Sequence, residues 1–302
     1  MAKTLYDLEE GETKPALHWS MLHSIARCAY QFYLRQMLGQ VVPPGLMLPR
    51  GLSTHKAVAA NLSAKIETGS LLNVEEVRTI AREDFLYEWE HIDIDFNDDE
   101  KEIGLKKLKG QSTDLVGDLA VAHHDELADE LHPVAVERKW RMICDNYPFD
   151  LAGKIDVEEE WKTDPRLTES KIISTVRDTK TAKKDPGQRE ADASDQLTEY
   201  AIARKITRKT APTFVYIDAL LLPTKTMPVR VKRYQSQRDQ HDFDAFMKRF
   251  AAACQAIEKE VFLPTLQSNW WCDPKYCGYF RRGCPYARQR CGISYAKKKA
   301  VK

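Results

Sequence analysis

Apolar positions follow a helical period through the first 130 or so residues and then switch to the alternation of strands. Leu22, Ile25, Ala26, Ala29, Tyr30, Tyr33 and Leu34 mark a helix over 21–38, with Ser20 placed to cap it. A second helix follows Pro49 over 52–66, and a third spans 74–90 with Asn73 as its cap. The acidic stretch 92–100 has little periodicity and reads as a loop, and helical character returns over 101–131. At His132-Pro133 the texture changes. Strands are expected over 134–143, 149–159 and 172–180, with a turn at 144–148 between the first two and a polar connection around Pro165. The polar run 183–192, with Pro186 and Gly187, reads as a mobile loop, and a helix follows over 192–206. A buried strand over 213–222, an edge strand over 228–234 and a long helix over 236–261 complete the pattern. From Leu263 onward the chain is cysteine-rich and irregular.

This order predicts a mixed α/β core flanked by helices. Three regions follow: a mostly helical segment 1–131, a core 132–262, and a cysteine-rich module with a basic tail over 263–302. No internal repeat or low-complexity segment interrupts them.

With 302 residues, 43% of them hydrophobic, the chain can build one large domain or two small ones. The net charge of +1 supplies no global field for a polyanion. Local basic patches do occur. Lys297, Lys298, Lys299 and Lys302 form a tail, and Arg281, Arg282, Arg288 and Arg290 lie among the last cysteines, although such runs are ordinarily solvated surface. No run approaches the roughly 20 apolar residues of a membrane helix, and the first residues lack the apolar core of a secretion signal. The expectation is a cytoplasmic protein with no membrane partner. In that compartment seven cysteines argue for metal or cluster ligation over disulfides.

Two short fragments carry candidate chemistry: Gly153-Lys154-Ile155-Asp156 and Asp178-Thr179-Lys180. Neighbouring strands lie about 4.8 Å apart, so acids at matching heights can share a cation. Hard carboxylate ligands suit magnesium or manganese. Lys180 falls on the face of Asp178, where an ammonium can orient water or neutralise developing charge, while Thr179 turns away and offers its backbone carbonyl. Alone, an Asp-x-Lys is usually a surface ion pair.

Order adds specificity. A helix with His55 precedes strands carrying Glu137, then Asp156, then Asp178 and Lys180, and a helix with Gln196 and Tyr200 follows. This succession resembles the RecB-type branch of the PD-(D/E)xK nuclease superfamily over most of the chain. The resemblance implies a restriction-endonuclease-like fold and a metal-dependent DNA exonuclease whose partner is DNA that is single-stranded or has free ends. It implies that His55, Asp156, Asp178 and Thr179 hold magnesium or manganese, that Asp156, Asp178 and Lys180 are catalytic with Glu137 supporting them, and that Gln196 and Tyr200 line the DNA path. Without it, His55 reads as an ordinary histidine, Glu137 as a partner for neighbouring arginines, and Tyr200 as core.

Cys272, Cys277, Cys284 and Cys291 fall within twenty residues, and Cys28 stands far from them. Thiolates select zinc or iron–sulfur. The spacing lacks the short Cys-x2-Cys pairs usual for zinc, and leaves open either a self-contained zinc knuckle or a site using Cys28. Iron–sulfur members of the resembled family, which include CRISPR-associated and helicase-linked nucleases, divide one N-terminal from three C-terminal cysteines around a 4Fe–4S cluster. That resemblance implies Cys28, Cys272, Cys277 and Cys284 as ligands, with Cys291 as a substitute for Cys284. Cys144 and Cys254 read as structural. Aromatics interleaved with arginine around these cysteines can stack on bases or form a small core around the cluster.

No Gly-x-x-x-x-Gly-Lys loop is present, so unwinding would fall to a helicase or recombination partner. The implied setting is phage or prokaryotic recombination, repair, replication or CRISPR adaptation. Two further readings stay open: a non-catalytic nucleic-acid binder on this scaffold, and a C-terminal zinc module for protein contacts.

Overall fold

A computed structural model describes residues 4–8, 11–163, 171–266, 268–280 and 282–287. Cys291, Arg281, Arg288, Arg290 and the basic tail lie outside them. The chain divides into two compact units: one of Met1–Pro43, Ile143–Ala152 and Met247–Lys302, the other of Pro44–Met142 and Gly153–Phe246.

The first unit holds β1 (Ala16–Leu17), α1 (Trp19–Phe32) and a single π-type turn, Tyr33–Met37. The expected helix over 21–38 is therefore broken twice. At Cys28 the backbone leaves helical geometry, with φ −163° and ψ 99°. The break frees the Cys28 sulfur to accept from the Thr265 amide at 3.4 Å, and the Tyr30 amide donates to Leu263 at 3.2 Å.

In the second unit, α2 (Met47–Thr68), α3 (Val74–His91) and α5 (Leu105–Glu126) form the helical layer. Helix α2 begins about five residues before the expected start, because proline is tolerated in a first turn where its missing N–H has no intrahelical partner. Asn73 caps α3 in a reciprocal box with Glu76. The same device, Asn97 with Glu100, nucleates α4 (Asp98–Ile103) at the end of a stretch expected to be loop.

Strands β2 (Pro133–Met142), β3 (Asp150–Lys162), β4 (Ile172–Ala182), β5 (Phe214–Leu221) and β6 (Arg230–Ser236) follow the expected order. Pairing is antiparallel between β3 and β4, parallel between β4 and β5, and antiparallel between β5 and β6, with β2 on β3. In the first unit, β1 runs parallel to the start of β3 through Ala16–Asp150 and Leu17–Leu151. The mixed sheet flanked by helices is the expected fold class. Helix α6 (Gln188–Ala193) occupies part of the expected mobile loop, started by Gly187 at φ 74°. Helix α7 is Asp195–Arg208 and α8 is Gln240–Glu258. Among the described residues no helix is long and apolar enough to cross a membrane.

Helix α2 turns one side to α3 and α5, where Ala57 packs with Val77, Phe85 and Val116. Its other side meets the sheet, where Val58 and Leu62 pack with Val157 and Leu220. Each such burial contributes about 1.5–3 kcal/mol. His55 lies one turn before Val58 on the same stripe, so core packing of α2 aims its imidazole at the sheet.

Beneath α2 and α5 the sheet carries a buried ion network. Arg177 pairs with Glu159 and with both oxygens of Asp218, at 3.1 and 3.0 Å. Thr175 also donates to Glu159, at 2.6 Å. Replacing Arg177 with Leu removes the cation shared by two buried carboxylates, leaving Glu159 only neutral donors and Asp218 only the more distant Arg233. Urea unfolding is expected to show a loss of about 3–5 kcal/mol, and an unchanged midpoint would contradict this account of the network.

Candidate active site

The site lies where β3 and β4 separate. The last rung of their ladder is Val157–Arg177, so the next residues of the two strands, Asp156 and Asp178, stand opposite each other on one face. The Thr179 amide donates to Asp156 Oδ2 at 3.1 Å. Thr179 therefore reaches the site through its N–H, which fixes the Asp156 carboxylate. Lys180, two residues past Asp178, brings its Nζ to 3.2 Å from Asp178 Oδ2 and 3.9 Å from Glu190 on α6.

Helix α7 covers this face. Tyr200 donates its hydroxyl to Asp156 Oδ1 at 3.0 Å. Gln196 donates to Asp178 Oδ1 at 3.0 Å and to the Tyr200 hydroxyl at 3.2 Å. These two residues, assigned by resemblance to the DNA path, touch the two acids. Farther along, Arg204 pairs with Glu158 at 3.4 Å and Glu160 at 3.0 Å, and Arg208 with Glu158 at 3.5 Å. Tyr200 and Arg204, one turn apart on α7, thus meet same-face acids of β3, and Glu158 is shared by Arg204 and Arg208.

From the helical layer, His55 Nδ1 comes within 3.6 Å of Asp156 Oδ2. Single ligand atoms of His55, Glu137 and Asp156 all fall within 4.8 Å of one another. Glu137 is held at φ 53°, a left-handed conformation unusual for a residue with a side chain and one that breaks the regular course of β2. Its carboxylate pairs with Lys154. Lys154 is a site residue that the motif order does not single out, and the signal for it is strand parity, two residues before Asp156 on the same face. Gly153 is needed for space, because a Cβ there would sit 3.0 Å from Glu199 Oε1 and 3.2 Å from Trp140 Nε1.

Burial raises both acids: Asp156 to about 6 and Asp178 to about 7. For Asp178 the nearby Asp156 charge adds to the rise, while Lys180 opposes it. Burial also lowers His55, which keeps the imidazole neutral and able to ligate. Asp178 Oδ2 is buried without a hydrogen bond among the described residues, facing only the Lys180 ammonium. The ligand atoms that converge are those of His55, Glu137 and Asp156, an imidazole and two carboxylates of the kind that suit a divalent cation, while Asp178 stands outside that group against Lys180.

The first unit gathers the other candidate ligands. Cys28, Cys272 and Cys284 all act electrostatically on Cys277, whose thiol burial raises. Cys28 accepts a backbone N–H from Thr265, and Cys277 one from Tyr279. Gly278 lets this segment close, since a Cβ there would lie 2.5 Å from Val42 Cγ1. Cys144 and Cys254 are buried, and burial pushes Cys254 up to about 12.

Residues 18–291 match the family model of the PD-(D/E)XK nuclease superfamily. No curated protein matches the chain. Among solved structures, the crystal structure of SSO0001 aligns over 76% of this chain and 84% of that one, with 13% identity and a TM-score of 0.31, too distant to inform the site. The family match spans nearly the whole length, and the chain belongs to the PD-(D/E)XK nuclease superfamily, whose members are nucleases that use divalent metals.

Proposed function

We propose that this protein is a DNA exonuclease in which His55, Asp156 and Asp178 hold magnesium or manganese and Lys180 assists attack on the phosphodiester. The observation that carries the reading is the convergence of two buried acids, an imidazole and an ammonium at one break in the sheet. A divalent cation bound there would neutralise phosphate charge and make water more acidic. Lys180, already beside Asp178, faces the position where negative charge develops. Tyr200 and the Thr179 amide orient Asp156, and Gln196 orients Asp178. Glu137 and Lys154 form a second charged pair at the rim, with Glu137 close enough to complete the ligand set.

The exonuclease assignment, the cytoplasmic setting and a role beside a helicase or recombination partner in phage or prokaryotic DNA metabolism rest on the RecB-type resemblance. In this reading residues 132–262 carry the reaction, and 263–302 with Cys28 form a 4Fe–4S module. The four thiols that influence one another and their backbone N–H donors support a cluster there. Closing so long a loop through a metal can supply folding free energy on the order of 10 kcal/mol, by analogy with zinc fingers. An intact Asp156, Asp178 and Lys180 set favours catalysis over a purely binding role.

Purified protein with magnesium or manganese is expected to shorten end-labelled DNA, and Asp178→Ala and Lys180→Ala are each expected to lower the rate by 100-fold or more, roughly the cost of removing one preorganised electrostatic group. Cleavage that survives either change would refute the assigned roles.

The raised carboxylates also tie stability to pH. An acid whose folded pKa exceeds its unfolded one binds a proton on folding, so its favourable contribution is lost as pH rises through the folded value. For Asp178 the window runs from the ordinary 3.8 to about 7. Without added metal, Asp178→Asn is therefore expected to raise the melting temperature by several degrees at pH 8 and hardly at all at pH 4, as calorimetry would show. An equal effect at both pH values would exclude the buried charge as the cause.

Anaerobically purified protein is expected to be brown and to contain iron, and Cys277→Ser to lose both colour and iron. A colourless, zinc-loaded protein would favour a zinc module.

A further inference from the structure

The aromatic residues of the cysteine-rich segment divide into two sets. Tyr279 and Phe280 are buried, at 3% and 5% exposure. Trp270 and Tyr276 are 66% and 45% exposed, although they are large rings that ordinarily contribute to cores. Their positions are nevertheless fixed. Trp270 packs edge-on to Trp271, with ring centres 5.5 Å apart at 90°, and to Tyr276 at 5.1 Å and 86°. Trp271 is held from the other side by the Arg27 guanidinium, 3.8 Å from its ring centre, and by a hydrogen bond from its Nε1 to Gln31 Oε1 at 3.1 Å. Lys275 lies 5.6 Å from the Tyr276 ring. Cys272, which follows Trp271, donates its backbone N–H to the Asn269 carbonyl at 3.0 Å and so fixes the turn that carries the two indoles.

An indole two-thirds open to water, braced by Trp271 and Tyr276, each of which carries a cation over its own ring, is suited to a flat apolar group that carries negative charge beside it. We infer that Trp270, supported by Trp271 and Tyr276, is a stacking platform for the bases of single-stranded DNA, with Arg27 and Lys275 beside the phosphates. A protein partner fits less well, since the centre of a protein interface is depleted of charge and here Arg27, Asp273 and Lys275 all lie among the rings. Duplex DNA fits less well too, because its bases already stack on one another. Rings take any base, so the platform would guide a strand without reading its sequence. The inference rests on the nuclease reading for its choice of DNA and adds the strand state of the substrate.

The test measures binding of full-length, cluster-containing protein without added divalent cation, so that no cutting intervenes. Fluorescence anisotropy compares labelled oligo-dT with an abasic strand of equal length, which keeps the phosphates and removes the bases. Wild type is expected to prefer oligo-dT. Trp270→Ala is expected to weaken oligo-dT roughly five- to a hundred-fold and leave the abasic strand unchanged, while Trp270→Phe keeps most of the affinity. Unchanged oligo-dT affinity in Trp270→Ala, or equal loss on both strands, would overturn the platform. Should Trp270→Ala lose iron or fail to fold, Tyr276→Ala read in the same way decides the matter. A wild type that cuts DNA but does not prefer oligo-dT sinks the platform alone; one that binds through Trp270 but never cuts with magnesium or manganese sinks the nuclease reading alone.

Discussion

Two carboxylates buried opposite each other, where neighbouring strands part, set the terms for the rest of the second unit. Their proximity follows from the ladder that ends at Val157–Arg177, and their burial raises both above the usual carboxylate range. Neither arrangement is favourable in a metal-free protein, because desolvation and like charge both oppose ionisation. The fold tolerates them because the Thr179 amide, the Tyr200 hydroxyl and the Gln196 amide satisfy three of their four oxygen positions. The fourth, Asp178 Oδ2, is left to the Lys180 ammonium.

The surrounding structure maintains that geometry from both sides of the sheet. On one side, α7 packs on β3 so that Tyr200 meets Asp156, Arg204 meets Glu158 and Glu160, and Arg208 meets Glu158. A rotation of α7 would remove the Tyr200 hydroxyl from Asp156 and the Arg204 and Arg208 cations from Glu158, leaving these acids to the Thr179 amide and to Arg138. On the other side, Arg177 binds Glu159 and Asp218 and so ties β3 to β4 and β4 to β5 below the break. Val58 and Leu62 seat α2 on the sheet and thereby place His55. Such networks stabilise little by themselves, but losing one member is costly, and that asymmetry holds the acids in one arrangement.

Much of this was legible in the sequence where a short-range rule applies. Strand parity put Asp178 and Lys180 on one face, and the order of strands brought Asp156 beside them. Asn73 announced the start of its helix because a cap is a local interaction. The Asn97 and Glu100 pair carried the same signal and was obscured by the acidic loop-like stretch around it. Other features depend on contacts distant in sequence. Glu159, Arg177 and Asp218 look like solvated strand residues until the sheet buries them under α2 and α5. The left-handed backbone of Glu137 and its pairing with Lys154 follow from strand packing, not from composition. Gln196 and Tyr200 were correctly placed one turn apart, but only the three-dimensional register shows that they face carboxylates. In the first unit, the break at Cys28 and the division of the aromatics into buried and exposed sets likewise depend on what each residue meets across the fold.

The account stands on the two acids sharing one cation. Anomalous diffraction from crystals soaked in manganese locates the ion independently of activity, partners and cluster state. The predicted map has a single strong peak in contact with both Asp156 and Asp178, about 2 Å from one oxygen of each, with His55 beside it. A fully soaked crystal with no peak there, or with manganese bound to one of these acids and the other turned away, would contradict it.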